Sequence, residues 1–254
     1  MTTILSYNVN GIRAAHDKQL YAWLHSVSPD ILCIQETKAQ PEQLTPEQLR
    51  PEGYHTYWHS AEQKGYSGVA LFTRQEPLHV EYGCGESWID AEGRVLRADF
   101  PDFSVMSLYL PSGTSGDHRQ GAKDQFLEFF LPYVRDLLQR FPRLVISGDY
   151  NIAHHPIDIH DPVGNKNSSG FLPHERAWLT DFLAVGLTDS FRHFNSDPGN
   201  YSWWSYRSGA RARNKGWRID YHLVSTELMP RCTGAAILPD AVHSDHCPIA
   251  VQID

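Results

Sequence analysis

The pattern of apolar and polar positions predicts eight β-strands along the chain. In the first, over residues 5–10, Leu5, Tyr7 and Val9 alternate with polar residues, a period of two. The other seven are mainly apolar segments, several of which turn polar at one end: 30–36, 68–74, 95–100, 104–110, 143–151, 218–225 and 249–253. Because several of these strands are consecutive, the pattern favours sheets covered by helices over a simple alternation of strand and helix.

Three helices are predicted between the strands. Apolar residues spaced three and four apart indicate a helix over 123–141, in which Pro132 is expected to cause a kink or a boundary. A second helix is predicted over 173–185, with proline at its start and glycine after its end. A shorter one is predicted over 19–26. No repeat, linker or change of composition divides the chain, so residues 1–254 are expected to form a single domain.

The composition is that of a globular protein, with 41% hydrophobic and 20% charged residues. No apolar run approaches the ~20 residues of a membrane span. The N-terminus lacks the basic and apolar regions of a secretion signal, and the four cysteines form no C-x-x-C pair. These features predict a reduced, cytoplasmic protein. The net charge of −8, taken as an average, argues against a nucleic-acid partner.

Polar side chains at five strand ends change that picture. They are Asn8 with Asn10, Gln35 with Glu36, Asp149 with Asn151, Asp220, and Asp245 with His246. Any one of them alone is usually a turn former or a helix cap. Five such ends, rich in oxygen ligands and poor in cysteine, predict a site for a hard cation such as Mg²⁺ or Mn²⁺. Carboxylates with asparagine and histidine are also what metal-assisted phosphoester hydrolysis requires.

A cluster of three histidines and a single cysteine have weaker chemical interpretations. The cluster of His154, His155 and His160 is a conceivable zinc site, but its spacing matches no common zinc pattern. Cys33 lies in an apolar run and is interpreted as a small core residue, with a catalytic thiol as the remote alternative.

A basic and aromatic segment covers residues 203–218. It holds five cations and four aromatic residues in sixteen positions, and no acid. The cations are Arg207, Arg211, Arg213, Lys215 and Arg218. Cations suit phosphate contacts, and flat rings suit an unstacked sugar or base. Most charge runs are solvated surface and most tryptophans are core, so the residues alone leave both interpretations open.

Nine motifs, in order along nearly the whole chain, resemble the exonuclease III family of apurinic/apyrimidinic (AP) endonucleases, within the endonuclease/exonuclease/phosphatase superfamily. They are NVNGIR at 8–13, IQETK at 34–38, GYSGVA at 65–70, LYLP at 108–111, SGDYNIA at 147–153, GFLP at 170–173, GWRIDY at 216–221, SDH at 244–246 and CPI at 247–249. The resemblance implies a DNase I-like α/β fold. This is a four-layer α/β sandwich of two packed mixed sheets flanked by helices.

The resemblance also implies roles for the polar strand ends. Glu36 would be the main metal ligand, supported by Asn10 and Asp245, with Asn8 orienting the neighbouring acids. Mg²⁺ would be the cofactor, and Mn²⁺ could replace it.

By the same resemblance, Asp149 would activate water, and Asn151 would hold the water or a phosphate oxygen. His246 would contact the phosphate, with Asp220 holding its ring and favouring its charged form. Tyr109 would donate to the scissile phosphate, although a lone tyrosine at a strand end is usually a packing residue.

The DNA contacts implied by the family surround this centre. They comprise Arg13, Tyr66, Ser67, Ser112, Asn165, Ser168, Arg207, Arg211 and Lys215. Trp203, Trp217 and Ile219 would line a small pocket for a flipped abasic sugar, which costs little to extrude because its base is missing. The chain departs from many relatives at Ser112 and Ser168, where they carry an amide side chain. Because both positions border the DNA site in the family, these departures leave open the balance among AP incision, 3′-phosphatase and 3′–5′ exonuclease activity.

The resulting prediction is a monomeric, Mg²⁺-dependent DNA-repair hydrolase acting on double-stranded DNA with abasic sites or blocked 3′ ends, and not on membranes. It would cut the phosphodiester 5′ to an abasic site and would also have 3′–5′ exonuclease and 3′-phosphatase activity. The alternatives are a relative acting mainly as exonuclease or 3′-phosphatase, a superfamily hydrolase of inositol phosphates, lipids or RNA, and a non-catalytic nucleic-acid-binding relative.

Overall fold

Two six-stranded sheets form the centre of the computed structural model, which describes all residues from Met1 to Asp254. In chain order the strands are β1 (Thr2–Asn8), β2 (Ile31–Gln35), β3 (His55–His59), β4 (Val69–Thr73), β5 (His79–Tyr82), β6 (Val95–Asp99), β7 (Ser104–Tyr109), β8 (Leu144–Asp149), β9 (Leu187–Asp189), β10 (Asp220–Ser225), β11 (Cys232–Ile237) and β12 (Ile249–Ile253). The first sheet has the order β11-β12-β1-β2-β4-β3, and the second has the order β5-β6-β7-β8-β10-β9. Each sheet is mixed, because β1–β2 and β7–β8 are parallel pairs among antiparallel ones.

Helices cover the outer faces of both sheets. They are α1 (Ile12–Asp17), α2 (Leu20–Val27), α3 (Pro46–Leu49), α4 (Ser87–Ala91), α5 (Asp117–Arg140), α6 (Pro173–Ala184) and α7 (Ser190–Phe194). One core lies between α1–α2 and the first sheet, a second between the two sheets, and a third between the second sheet and α5–α6. The four-layer α/β sandwich predicted from the sequence is confirmed.

The alternation in β1 has a different meaning from the usual one. Leu5 and Tyr7 face the helices, as the period predicts. The opposite face is also buried, because Ser6 and Asn8 point between the sheets, where the Ser6 hydroxyl donates to Gln35 at 3.2 Å. The polar positions of this strand therefore lie between the two sheets, next to the site described below.

Helix α5 begins six residues before its predicted start, and Pro132 lies inside it without ending it. Proline removes one backbone hydrogen bond from a helix. The buried side chains of Phe126, Phe130 and Val134, which pack on the second sheet on both sides of Pro132, stabilise the helix despite that loss. No helix combines the length and the apolar character needed to cross a bilayer.

Candidate active site

The predicted functional residues meet where central strands of both sheets end. In the second sheet, Asp149 pairs directly with Tyr109 of β7 and with Asp220 of β10, so the three side chains stand in one row. In the first sheet, Asn8 ends β1 and Glu36 directly follows β2. The packing of one sheet on the other brings the two groups together.

The backbone turns sharply at these ends. Asn10, Glu36 and Asn151 have φ values of 48°, 52° and 51°, in the left-handed region. Asparagine visits this region more readily than most residues, whereas glutamate does so rarely. Backbone strain at a strand end is characteristic of functional sites.

Asn8 connects the two sheets through their acids. Its amide nitrogen donates to Glu36 at 2.8 Å and to Asp149 at 2.9 Å. Its amide oxygen accepts from the backbone of Asn10, whose own side chain donates to Asp245 at 3.0 Å. Four predicted site residues are thus joined to Asn8 in one hydrogen-bonded chain.

One group of side chains has the geometry to hold a metal ion. Ligand atoms of Glu36, Asp149 and His246 all lie within 4.8 Å of one another. The ammonium of Lys38 lies 2.6 Å from Glu36 and donates to the side-chain oxygen of Asn10 at 2.6 Å. Burial opposes the ionisation of Glu36, but Lys38 and Asn8 outweigh it and lower the pKa of the carboxyl group. These oxygens therefore already attract a cation, as oxygen ligands of Mg²⁺ would.

Sequence reasoning assigned no role to Lys38. Its signal was available, because it lies in the IQETK motif two residues after Glu36.

The imidazole of His246 lies between two carboxylates. Its Nδ1 atom is 2.9 Å from Asp220, and its Nε2 atom is 3.9 Å from Asp149. Burial disfavours the charged ring, but Asp220 and the neighbouring acids overcome this effect and raise the pKa of His246 to about 10. Burial, followed by repulsion from Asp220 and Glu36, raises the pKa of Asp149 to about 7. The site thus combines a charged imidazolium with a carboxylate able to exchange a proton near neutral pH.

Asn151 and Tyr109 complete the row around Asp149. The backbone of Asn151 donates to Asp149 at 2.8 Å, and its side chain donates to the carbonyl of Leu110 at 2.9 Å. The guanidinium of the buried Arg94 lies 4.8 Å from the centre of the Tyr109 ring. Burial and the charges of Glu36 and Asp149 raise the pKa of Tyr109 well above its usual value, so the phenol keeps its proton.

A cavity of about 700 Å³ opens over these residues. Trp203, Trp217 and Ile219 line one side of it, and the two indole rings meet edge to face with centroids 6.2 Å apart. Trp203 also donates through its ring nitrogen to Asp245 at 3.0 Å. The predicted pocket residues are therefore adjacent to the predicted metal ligands, and Trp203 is hydrogen-bonded to one of them.

The predicted DNA contacts fall into two sets. Ser112, Asn165 and Ser168 line the cavity, whereas Arg13, Tyr66, Ser67, Arg207, Arg211 and Lys215 lie outside it. Arg207 and Lys215 are exposed cations, and Arg13 donates to the carbonyl of Lys38 at 3.5 Å. Tyr66 accepts hydrogen bonds from Arg94 and Arg119, and Ser67 is buried. The DNA contacts of these residues stay predictions.

Two cations of the basic segment make contacts within the chain. The terminal nitrogens of Arg211, whose contact with DNA stays a prediction at this point, donate to backbone carbonyls within the chain. Arg218 is buried in ion pairs with Asp158 and Asp189 at 2.8 and 2.7 Å. Local sequence gives no sign of these contacts, because the acids and carbonyls come from distant parts of the chain.

A buried ion pair under the site was not found from the sequence. Lys123 and Glu175 are both fully buried and lie 2.6 Å apart. Lys123 also donates to the carbonyl of Asn151 at 2.8 Å, while Glu175 accepts from the backbone of Gly170 and Leu172 at 2.7 and 3.0 Å. The available signal was a lysine on the apolar face of the helix predicted over 123–141.

The histidine cluster is tied to its surroundings by other contacts. His154 is hydrogen-bonded to Thr180 at 2.8 Å, and its ring lies 3.7 Å from that of His155. Burial lowers the pKa of His154 to about 4. These contacts give His154 a packing role, whereas His155 and His160 are exposed.

Comparison with known proteins shows the family to which the chain belongs. The family model described as "Endonuclease/Exonuclease/phosphatase family" matches residues 5–246. The chain belongs to this family. It is 46% identical to an exodeoxyribonuclease of Bacillus subtilis over 99% of both chains. It is 42% identical to the DNA repair nuclease APEX1 of Danio rerio, over 98% of this chain and 81% of that protein.

Solved structures of the family agree with this result. A 3′ phosphatase from Neisseria bound to product DNA hairpin superposes with a TM-score of 0.93 at 30% identity, and all of both chains is covered. An AP endonuclease from Archaeoglobus fulgidus superposes with a TM-score of 0.91 at 32% identity, again over all of both chains. The predicted resemblance to exonuclease III-type AP endonucleases is confirmed, and so is the predicted enzyme class, a nuclease.

Proposed function

We propose that this family member is a Mg²⁺-dependent DNA-repair hydrolase that cuts the phosphodiester 5′ to abasic sites in double-stranded DNA. The observation that carries the proposal is the meeting of Glu36, Asp149 and His246 within 4.8 Å, at a cavity lined by Trp203 and Trp217. The names of the relatives, which include exodeoxyribonuclease and AP endonuclease, support the same reaction class.

Glu36, Asn10 and Asp245 offer the oxygen atoms that a magnesium ion prefers, whereas the charged ring of His246 is not available as a ligand. Glu36 would bind the ion directly, with Asn10 and Asp245 contributing oxygen atoms and water completing the shell. The ammonium of Lys38 between Glu36 and Asn10 supports a cation at this position. When bound, the ion would offset the negative charge that grows on the phosphate oxygens. Mn²⁺, which prefers similar ligands, would substitute for it.

The residues around the phosphate would divide the remaining tasks. Asp149, with a pKa of about 7, would accept a proton from the attacking water, and Asn151 would orient that water or a phosphate oxygen. The imidazolium of His246, held by Asp220, and the protonated phenol of Tyr109 would donate to the phosphate oxygens.

The rings of Trp203 and Trp217, with Ile219, would hold the extruded abasic sugar. A nucleotide without a base loses little stacking or pairing when it leaves the duplex, so a small apolar pocket selects it. Ser112, Asn165 and Ser168 would contact the backbone of the same strand, and the exposed cations Arg207 and Lys215 would contact phosphates farther away.

A second activity, removal of phosphate or nucleotides from 3′ ends, is favoured by the relatives. The structural neighbours include a 3′ phosphatase and a 3′-5′ exonuclease, with TM-scores of 0.93 and 0.92. The same phosphate chemistry serves all three reactions, so they would share the residues around Asp149.

Incision of a duplex that contains one abasic site tests the main proposal. We expect cleavage 5′ to the site in the presence of Mg²⁺ and none after chelation. Asp149→Asn and His246→Ala should each lower the single-turnover rate by ~10²–10⁴-fold, since each removes a group that acts on the reacting atoms. An inactive wild type, or unchanged cleavage by both variants, would contradict the proposal.

A further inference from the structure

The guanidinium of Arg211 is enclosed by the loop between β11 and β12, residues 238–248. One terminal nitrogen donates to the carbonyls of Pro239 and Ala241 at 2.8 and 2.6 Å. The other donates to the carbonyls of Ser244 and His246 at 3.0 and 3.5 Å. A single side chain therefore binds four carbonyl groups of the loop that carries Asp245 and His246.

From outside the loop, only Arg211 is hydrogen-bonded to residues 239–242. Other contacts hold the rest of the loop: the side chain of Asp245 accepts from Asn10 and Trp203, His246 is bonded to Asp220, and the backbone of Cys247 donates to the carbonyl of Ser202 at 2.8 Å. The loop contains no helix or strand between β11 and β12. The carbonyl of His243 accepts from Lys18 at 3.2 Å, and the carbonyl of Asp245 accepts from the backbone of Trp204 at 3.0 Å. Arg211 lies on the Trp204 ring, with its guanidinium 4.7 Å from the ring centre. The guanidinium that binds the carbonyls is therefore also in contact with the indole ring.

We propose that Arg211 is a positioning residue that fixes the loop of residues 238–248, rather than a contact to a DNA phosphate. Its terminal nitrogens already have four acceptors, and it is only partly exposed. The consequence for the reaction rests on the proposed function, because it concerns the groups that Asp245 and His246 present to the phosphate. A displacement of about 1 Å at such groups costs on the order of 10²-fold in rate.

The geometry makes arginine and lysine unequal here. A guanidinium has several donors fixed in one plane and stacks on an aromatic ring, whereas an ammonium is a compact point charge. Lysine at position 211 would keep the charge, but it could not bind carbonyls on two sides while lying on Trp204. At a simple phosphate contact, in contrast, lysine would retain most of the affinity.

The test compares Arg211→Lys and Arg211→Gln with Arg207→Gln, a change at an exposed arginine of the same segment. Hydrogen exchange of the free protein reports on the loop, without any DNA or metal. Single-turnover incision of an abasic duplex and the salt dependence of its Kd separate rate from binding. Amides of β8 serve as the internal control for global folding.

Both Arg211 variants should speed exchange in residues 238–248 while β8 stays protected. Both should lower the single-turnover rate by on the order of 10²-fold, with an unchanged slope of log Kd against log salt. Arg207→Gln should reduce that slope by ~1 and leave the exchange of the loop as it is.

Three results would overturn the proposal. Arg211→Lys could retain both rate and loop protection, Arg211→Gln could reduce the salt slope by ~1 as a phosphate contact does, or protection could be lost throughout the chain. A wild type that cuts no DNA would contradict the proposed function alone, because the exchange measurement would still test the position of the loop.

Discussion

Two buried histidines of this chain show how contacts decide the state of a residue. His246 lies beside Asp220, whose charge outweighs burial and raises the pKa of the ring to about 10. His222 lies between the sheets, bonded to the Ser147 hydroxyl at 2.7 Å and the Ile249 carbonyl at 3.1 Å. Burial there lowers its pKa to about 4. Near neutral pH, His246 is therefore charged and His222 is neutral.

The neutral His222 predicts a loss of stability in acid. Below pH ~6.5 the unfolded chain binds a proton at this residue that the folded chain does not bind until pH ~4. The free energy of unfolding should therefore fall by on the order of 3 kcal/mol from this residue as the pH drops across that window. Urea unfolding of the wild type and of His222→Gln at pH 7, 5.5 and 4 measures it.

The matched comparison isolates His222 from the carboxyl groups that titrate in the same range. The glutamine variant should lose less stability than the wild type between pH 7 and pH 4, whatever its stability at pH 7. Parallel pH dependence of the two proteins would contradict the prediction.

At the scale of elements, burial decided what the sequence could predict. All eight predicted strands are interior strands of the two sheets, and the four that were not predicted are the four edges. The edge strands β3 and β5 are exposed or only half-buried, and β9 has three residues. Their apolar periodicity is correspondingly weak, because an edge strand has only one neighbour to pack and pair with. The site residues could be predicted because they lie at the ends of interior strands, whose buried apolar runs are clear in the sequence.

The residues that sequence reasoning missed act between elements. Lys123 lies on α5 and Glu175 on α6, and their pairing exists only once both helices pack on the second sheet. The contacts of Arg211 likewise depend on a loop about thirty residues away. Spacing along the chain can place Lys123 on an apolar helix face, but it does not show which acid Lys123 pairs with.

The buried pair predicts an unusual double-mutant result. Lys123→Met leaves the Glu175 carboxylate buried without its partner, which should cost ~3–5 kcal/mol of the free energy of unfolding. Apolar replacement of both residues often restores stability in other proteins. It should fail here, because the pair also serves the carbonyl of Asn151 and the backbone of Gly170 and Leu172.

Urea unfolding of Lys123→Met, Glu175→Leu and the double variant tests this prediction. The double variant should remain at least ~2 kcal/mol less stable than the wild type, since buried backbone groups stay unpaired. A double variant as stable as the wild type would contradict the prediction, because the bonds of the pair to the backbone of Asn151, Gly170 and Leu172 would then contribute nothing to stability.

At the scale of the whole molecule, the distribution of charge matters more than its sum. The net charge is −8, yet the site gathers cations and donors around its acids, and Arg207, Arg213 and Lys215 lie exposed in one segment. Two of the five cations counted in that segment, Arg211 and Arg218, are bound within the chain. Arg218 is neutralised by Asp158 and Asp189, whereas Arg211 keeps its charge because its partners are carbonyl groups. The local excess of positive charge is therefore smaller than the five cations of the sequence indicated.

The most direct test of the account is a side-by-side assay of three duplexes with Mg²⁺: one with an abasic site, one with a 3′ phosphate and one undamaged. We expect incision 5′ to the abasic site, leaving a 3′ hydroxyl, to be the fastest reaction. Removal of the 3′ phosphate should follow, and digestion of the undamaged end should be slower. An abasic strand that stays intact while the other substrates are consumed would contradict the central claim.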